Sequence, residues 1–352
     1  MAYKNSTLVA AKAGKKDEFY TQLSDIEKEL VHYREYFRDK VVFCNCDDPY
    51  ESNFFKYFAL NFNALGLKKL IATCYDGSPI AQQELQLFPD EENKPKKKAY
   101  KVEISEVPDL DGNGATDLTD VQLLLKSSNH NVKAELKENG DFRSHECVEL
   151  LKQADIVVTN PPFSLFREYI AQLIKFGKKF LIIGNQNAVT YKEIFPLIMD
   201  NKLWFGASIH SGDREFRVPD SYPLNAAGQR IDEKGVKYIR VKGVRWFTNI
   251  DYPQRHEDLI LIKHYSPEEY PHYDNYDAIN VNVTNDIPCD YDKIMGVPLT
   301  FLDKYSPDQF EIIDYMASHG KFPKGIPHEA PYLNGKWLYN RILIRNKKPQ
   351  IS

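Results

Sequence analysis

Short apolar runs alternate with amphipathic stretches along the first 250 residues of the chain. The runs predict β-strands at 41–46, 69–74, 156–159, 180–184, 203–207 and 244–249. The stretches between them predict helices at 51–65, 147–152 and 166–176. Such alternation favours an α/β fold with a doubly wound parallel sheet, whose ligands bind at the carboxyl ends of the strands.

Two regions interrupt this alternation. Residues from about 77 to 140 are polar, with a predicted hairpin near 99–104, and we interpret them as an insertion. After residue 249, Tyr, Pro and Asn dominate, and a helix over 307–316 and a strand over 339–344 are predicted. We therefore expect residues 1–250 to form one domain and residues 251–352 a second, smaller module.

Composition and charge narrow the class of protein. Apolar runs fall far short of the roughly 20 residues that span a bilayer, and the N-terminus has no signal-peptide core. The five cysteines are scattered and odd in number, which suits a reducing compartment, so we expect a cytoplasmic protein without membrane contact. Cys44 and Cys46 lack a second pair or a nearby histidine, and are interpreted as buried thiols. Because the net charge is −4, a nucleic-acid partner would need a local basic surface.

The predicted strand 156–159 ends in the tetrapeptide Asn160-Pro161-Pro162-Phe163. The prolines fix φ and remove backbone donors, which predicts a stiff turn at the carboxyl edge of the sheet. The Asn160 side-chain oxygen and the Pro161 carbonyl can accept from an exocyclic amine and free its lone pair, while Phe163 stacks on a flat ring. This arrangement indicates methylation of an amine on a conjugated substrate; an ordinary Asn-Pro-Pro loop is the alternative.

The tetrapeptide is one form of the motif Asp/Asn/Ser-Pro-Pro-Tyr/Phe/Trp, and the chain resembles the EcoRI-type DNA adenine methyltransferases over nearly its whole length. The resemblance rests on segments 17–22, 43–49, 140–144, 159–169, 275–282 and 295–298. It implies a Rossmann-like class I methyltransferase sheet with helices on both faces and a smaller C-terminal DNA-recognition module. It also implies methyl transfer from S-adenosylmethionine to N6 of a flipped-out adenine in double-stranded DNA, within a restriction–modification system. We expect a monomer.

The same resemblance implies cofactor-binding residues upstream of the catalytic motif. Tyr20 and Thr21 match the segment that holds the methionine carboxylate, with the Thr21 hydroxyl as a ligand; a simple helix cap or turn is the alternative. Cys44, Asn45 and Asp47 lie in the loop after the first strand, where most Rossmann-like methyltransferases have glycines. We expect Asp47 to pair with the cofactor's ammonium group.

Two further pairs of residues complete the expected cofactor site. Tyr75 and Asp76 end the second predicted strand, where an aromatic or acidic residue usually meets the ribose or adenine of the cofactor. Asp76 fits a surface turn equally well. Asp141 and Phe142 resemble the loop that binds the cofactor's adenine, the carboxylate accepting from its amine and the ring packing on its face.

The segment Asp109–Asp120 fits much of the loop that binds Ca²⁺. Its twelfth position is Asp120, however, where such loops have a bidentate glutamate, and it is a single loop where these usually pair. An acidic, glycine-rich turn that caps a helix is the alternative. No metal is assigned to the reaction.

Sequence-specific DNA binding requires cationic and amide side chains near the duplex. The candidates are Arg214, Arg217, Arg245, Arg341, Arg345, Lys347 and Lys348, of which the last four fit a solvated strand and tail equally well. Two other functions remain open: methylation of RNA adenine or protein glutamine by the same motif, and a catalytically silent DNA-binding protein. The intact Asn160 and Phe163 argue against the silent protein.

Overall fold

A computed structural model describes residues 21–46, 48–49, 52–75, 98–126, 133–208, 213–218, 229–317 and 330–350. The described chain is a mixed α/β protein. It divides into two compact units, Met1–Gln186 with Gly212–Ile250 and Asn187–Ser211 with Asp251–Ser352. Among the described helices, none is both long and apolar enough to cross a membrane.

Strands and helices are numbered in chain order. The described strands are β1 (Val41–Cys44), β2 (Lys69–Thr73), β3 (Tyr100–Ile104), β4 (Lys133–Glu135), β5 (Ile156–Thr159), β6 (Lys179–Asn185), β7 (Trp204–Phe205), β8 (Asp213–Val218), β9 (Gln229–Ile231), β10 (Lys237–Lys242), β11 (Val244–Thr248), β12 (Ile279–Asn280), β13 (Ile294–Val297), β14 (Phe310–Met316), β15 (Tyr332–Leu333), β16 (Lys336–Trp337) and β17 (Arg341–Asn346). The described α-helices are α1 (Leu23–Leu30), α2 (Asn53–Leu60), α3 (Phe62–Leu65), α4 (Leu118–Lys126), α5 (His145–Gln153), α6 (Phe166–Lys175) and α7 (Phe195–Met199). Short 3₁₀ turns lie at Val31–Phe37, Phe163–Leu165, Gln186–Thr190, Pro253–His256, Thr284–Asp286 and Leu299–Lys304.

The main sheet of the first unit has the strand order β4-β3-β2-β1-β5-β6-β11. Its centre, β2-β1-β5-β6, is parallel, whereas β3, β4 and β11 pair antiparallel. The expectation of a wholly parallel sheet is therefore wrong at its flanks. Residues that were expected to form an insertion supply β3 and β4, because antiparallel strands can extend a sheet edge without a crossover helix.

The parallel centre of this sheet is also the core of the first unit. Every residue of β1 and β5 is buried, and Val42, Phe43, Val157 and Val158 have no exposed surface. Continuous apolar runs of this kind are typical of strands covered on both faces. The Ser52 hydroxyl accepts from the backbone N–H groups of α2's first turn, so the chain enters that helix soon after β1.

Several predicted elements match the structure and two do not. The predicted strand 156–159 coincides with β5, and the strands predicted at 41–46, 69–74, 180–184 and 244–249 overlap β1, β2, β6 and β11. The hairpin predicted near 99–104 is wrong, because β3 is a single strand between β2 and β4. The helix predicted over 307–316 is also wrong, because the strand β14 forms there instead. Glu311 is exposed and Ile312 is buried, as the two-residue period of a strand requires.

The second unit is built around the sheet β12-β13-β17-β14, with a separate hairpin β15-β16. In this unit His256 bridges two acidic residues. Its Nε2 lies 2.8 Å from Asp251 Oδ2, and its Nδ1 lies 2.8 Å from Asp308 Oδ2. Hydrogen bonds to these two carboxylates raise the pKa of His256 above its ordinary value.

Candidate active site

The proline motif forms a turn at the carboxyl end of β5. Pro161 is buried, and the Pro162 carbonyl accepts from the backbone N–H of Leu165 at 2.9 Å, which closes the 3₁₀ turn that begins at Phe163. Asn160 and Phe163 are half-buried, and the Asn160 Oδ1 atom is shielded from solvent. The motif thus lies where ligands bind in parallel α/β sheets.

A buried hydrogen-bond network joins the ends of three adjacent strands, β2, β1 and β5. The Thr73 hydroxyl donates to Asn45 Oδ1 at 2.9 Å, and the Thr159 hydroxyl donates to the Asn45 backbone carbonyl. All three residues are essentially inaccessible to solvent. Because Thr159 directly precedes Asn160, this network ties the loop after β1 to the proline motif.

The same network explains how the loop after β1 can turn without a glycine. Cys46 has a φ of +64°, in the left-handed region that glycine normally occupies. Its backbone N–H donates to Asn45 Oδ1 at 2.9 Å, a local bond from a backbone N–H to a neighbouring side chain. Cys44 is buried and Cys46 half-buried.

Thr21 supplies a buried hydroxyl near this loop. Its backbone carbonyl accepts from the Asn53 side chain at 2.7 Å, which holds it at the start of α2. Thr21 is only 5% exposed, and its Oγ1 has no hydrogen-bond partner within the described residues. A buried hydroxyl without a partner costs free energy, so this atom fits a position that a polar ligand completes.

The segment that includes Asp141 and Phe142 lies against the end of β2. Gly140 has a φ of +76°, and a Cβ there would overlap the carbonyl oxygen of Cys74, so only glycine permits this approach. Arg143 donates to Asp141 from Nε at 2.8 Å and from Nη2 at 2.7 Å, and these bonds lower the pKa of Asp141. A carboxylate offers about four lone-pair positions, so Asp141 retains capacity for a ligand donor.

Phe142 is less accessible than expected of a residue that packs on a cofactor ring. It is 3% exposed, and its ring packs edge-to-face on Tyr169 with 5.0 Å between centroids. Tyr75, by contrast, is half-buried.

The structure thus gathers most of the expected residues at the ends of β1, β2 and β5. Tyr20, Asp47 and Asp76 lie outside the described residues. Sequence reasoning missed Thr73, Thr159 and Arg143. A threonine that directly follows the apolar run of two strands was the available signal for the first two.

The acidic loop Asp109–Asp120 has a structure that its own hydrogen bonds explain. The oxygens of Asp109, Asp111 and Asp120 converge within 4.8 Å of one another. Asp117 Oδ1 accepts from the N–H of Thr119 at 2.6 Å, and Asp120 Oδ2 accepts from the N–H of Asp117 at 2.9 Å. The two bonds cap the start of α4, since Asp117 accepts from the second helical N–H and Asp120 reaches back to the N–H of Asp117, as the helix-capping alternative predicts.

Several proposed DNA-contacting cations are already engaged within the protein. Arg245 and Arg341 are 2% and 7% exposed, which removes both from the candidates for base or phosphate contact. Arg341 donates to Asn280, at 3.3 Å, and to backbone carbonyls. Three others form exposed contacts: Arg345 with Glu311, Lys348 with Asp258, and Lys347 with the Pro307 carbonyl.

Comparison with known proteins identifies the family. The family model described as the adenine-specific methyltransferase EcoRI matches residues 7–347. The type II methyltransferase M.EcoRI of Escherichia coli is 49% identical over 98% of this chain and 98% of its own. M.MgeORF184P of Mycoplasma genitalium is 38% identical over 97% and 98% of the two chains, and M.MpnI of Mycoplasma pneumoniae 37% identical over 96% and 97%. No solved structure matches the chain. The chain belongs to the EcoRI family of adenine-specific methyltransferases.

Proposed function

We propose that this protein methylates the N6 amine of adenine in double-stranded DNA as the methyltransferase of a restriction–modification system. Membership of the EcoRI family supports the reaction, and the type II methyltransferases among its relatives support the biological role. The observation that carries the proposal is the position of Asn160 at the end of β5, joined through Thr159 to the loop after β1.

S-adenosylmethionine is the methyl donor that we propose, and it would supply an electrophilic methyl group on a sulfonium. The buried Thr21 Oγ1 fits the donor's carboxylate because it has no hydrogen-bond partner in the described part of the chain. Tyr75, Asp141 and Phe142 would bind the nucleoside end. The Asn45 side chain is bonded within the buried network, so we assign it a positioning role. We assign the contact with the methyl donor to the backbone of Cys44 and Asn45. Tyr20, Asp47 and Asp76 remain predicted ligands.

The acceptor adenine must leave the duplex, at a cost of a few kcal/mol, before its amine can reach the motif. The Asn160 side-chain oxygen and the Pro161 carbonyl oxygen would then each accept a hydrogen bond from one N–H group of the adenine amine. These bonds would draw the amine nitrogen toward sp³ geometry. Its freed lone pair would form the new N–C bond as the methyl–sulfur bond of the donor breaks, with that bond's electron pair remaining on sulfur as a neutral thioether. The cationic product amine would then lose one proton to solvent. Phe163 stacks on the base and holds it in line. This chemistry requires no histidine base and no cysteine nucleophile.

We further infer that residues 1–250 form a Rossmann-like class I methyltransferase domain with helices on both faces of its sheet. The parallel centre β2-β1-β5-β6, with antiparallel β11 beside β6, supports this. Residues 251–352 would act as the target-recognition module of a monomeric enzyme. In that region Trp337 and Tyr339 are 49% and 79% exposed, and aromatic side chains of this kind stack on bases.

Transfer of a tritiated methyl group to duplex DNA free of adenine methylation tests the proposal, with RNA and protein as parallel acceptors. Asn160→Ala should lower turnover by at least about 10²-fold while DNA binding is retained, because an oxygen that polarises the amine is lost. Asn160→Asp keeps an acceptor oxygen and should retain part of the activity. Label in RNA or protein alone would contradict the substrate, and unchanged turnover in Asn160→Ala would contradict the mechanism.

A further inference from the structure

Three metal-binding side chains converge in the second unit, outside the proposed methyl-transfer machinery. His264 Nδ1 lies 3.0 Å from Asp290 Oδ2 and 3.7 Å from Cys289 Sγ. The three ligand atoms all lie within 4.8 Å of one another. Imidazole, thiol and carboxylate are the side-chain groups that bind zinc in proteins.

Backbone contacts hold the two contributing segments together. Lys263 and Pro288 form a parallel β-bridge, and the Cys289 N–H donates to the Lys263 carbonyl at 2.8 Å. The Tyr265 N–H donates to Asp290 Oδ1 at 2.8 Å, which orients the other carboxylate oxygen, Oδ2, toward His264. The ligand atoms are thus positioned by the fold, and a carboxylate oriented by an outer hydrogen bond is a usual feature of metal sites.

The two distances from His264 Nδ1 are close to those of a tetrahedral zinc site, and the third, between the Cys289 and Asp290 ligand atoms, is within 4.8 Å. Zinc bonds of about 2.0–2.1 Å to nitrogen, 2.3 Å to sulfur and 2.0–2.2 Å to oxygen place neighbouring ligand atoms roughly 3.3–3.6 Å apart. The observed separations of 3.0 and 3.7 Å require shifts of only a few tenths of an ångström.

A hydrogen bond between His264 and one of its two neighbours explains this cluster less well than a bound cation does. A single ring nitrogen has either one proton or one lone pair, so His264 Nδ1 can bond fully with only one of its two neighbours at a time. A cation at their centre binds all three groups. Cys289 is 2% exposed whereas the His264 side chain is 75% exposed, so the cluster lies at the surface on its histidine side, from which a metal and a water ligand could enter.

We propose that His264 Nδ1, Cys289 Sγ and Asp290 Oδ2 bind one Zn²⁺ ion, with water as the fourth ligand. The cysteine thiol loses its proton on binding, so zinc uptake releases protons and weakens as the pH falls. The ion would join the segment at 263–265 to the segment at 288–290. This site is independent of the proposed methyl transfer.

Addition of Zn²⁺ or Co²⁺ to the purified full-length chain, followed by dialysis and elemental analysis, tests the proposal. We expect one metal per chain and, for Co²⁺, a thiolate-to-metal charge-transfer band together with the visible spectrum of tetrahedral cobalt. Changes in the outer shell of a metal site already weaken binding by about 10–100-fold. Cys289→Ser and His264→Asn remove direct ligands, and each should weaken zinc binding by more than about 100-fold.

Matched variants at a cysteine and a histidine outside the cluster, Cys147→Ser and His272→Asn, should leave binding unchanged. His264→Asn keeps the test decisive if Cys289→Ser does not fold, because the exposed His264 ring is replaced at the surface. The proposal is overturned if the wild-type chain retains no stoichiometric metal, if cobalt shows no thiolate band, or if His264→Asn binds zinc as tightly as wild type.

Discussion

Replacing Thr159 by valine tests whether the buried network positions the catalytic motif. The two side chains have nearly the same shape, and Thr159 has no exposed surface, so the main loss is the hydrogen bond from its hydroxyl to the Asn45 carbonyl. An unsatisfied buried acceptor costs about 1–3 kcal/mol. We expect Thr159→Val to lower the free energy of unfolding by about this amount, as measured by urea denaturation.

The effect on catalysis should exceed the effect on binding. Thr159 directly precedes Asn160, and a displacement of about 1 Å in a reacting group costs on the order of 10²-fold in rate. We expect kcat for methyl transfer to fall by about 10–100-fold, while KM for DNA changes little. Steady-state kinetics with varied duplex and varied methyl donor separate these parameters.

Two matched variants separate positioning from stability. Thr73→Val removes the 2.9 Å bond to Asn45 Oδ1 at an equally buried site, so its loss of stability should be similar. Because Thr73 is not adjacent to the motif, that variant should raise KM for the methyl donor more than it lowers kcat. Thr159→Ser retains the hydroxyl and should retain most of kcat. Wild-type kcat in Thr159→Val, or equal impairment in Thr159→Ser, would refute the positioning role.

Gly140→Ala places a Cβ against the carbonyl oxygen just beyond β2, so methyl-donor binding and stability should both fall, stability by more than about 1–3 kcal/mol. Gly177→Ala is the control, because φ there is +61° but no described atom lies within 4 Å of the new Cβ; equal losses in the two variants would exclude the proposed close contact. His256, whose pKa is raised by Asp251 and Asp308, should contribute stability fully below about pH 6.5 and lose that contribution as pH rises through its folded-state pKa. The Tm difference between wild type and His256→Gln should therefore shrink as the pH is raised above about 6.5. Parallel Tm profiles would contradict this.

Much of the active-site region could be predicted from local sequence. The strand β5 is an uninterrupted apolar run that ends in Asn160-Pro161-Pro162-Phe163, and both signals involve neighbouring residues. The strands β1, β2 and β6 were likewise found to within one or two residues. The C-terminal β14 was not, because its Phe-Glu-Ile-Ile-Asp pattern fits either period and its pairing with β17 decides the conformation.

The sequence by itself determined the mixed α/β class, the family and the place of Asn160-Pro161-Pro162-Phe163 at the end of a strand, because these depend on short apolar periods and on contiguous strings of residues. Only the tertiary structure showed that Asn45 joins Thr73 to Thr159, partners that lie 28 and 114 residues away along the chain. Likewise, only the tertiary structure showed that Arg341 is buried, where it donates to Asn280, 61 residues away along the chain. Hydrogen bonding and burial depend on which distant segments pack together, and no local pattern specifies that choice.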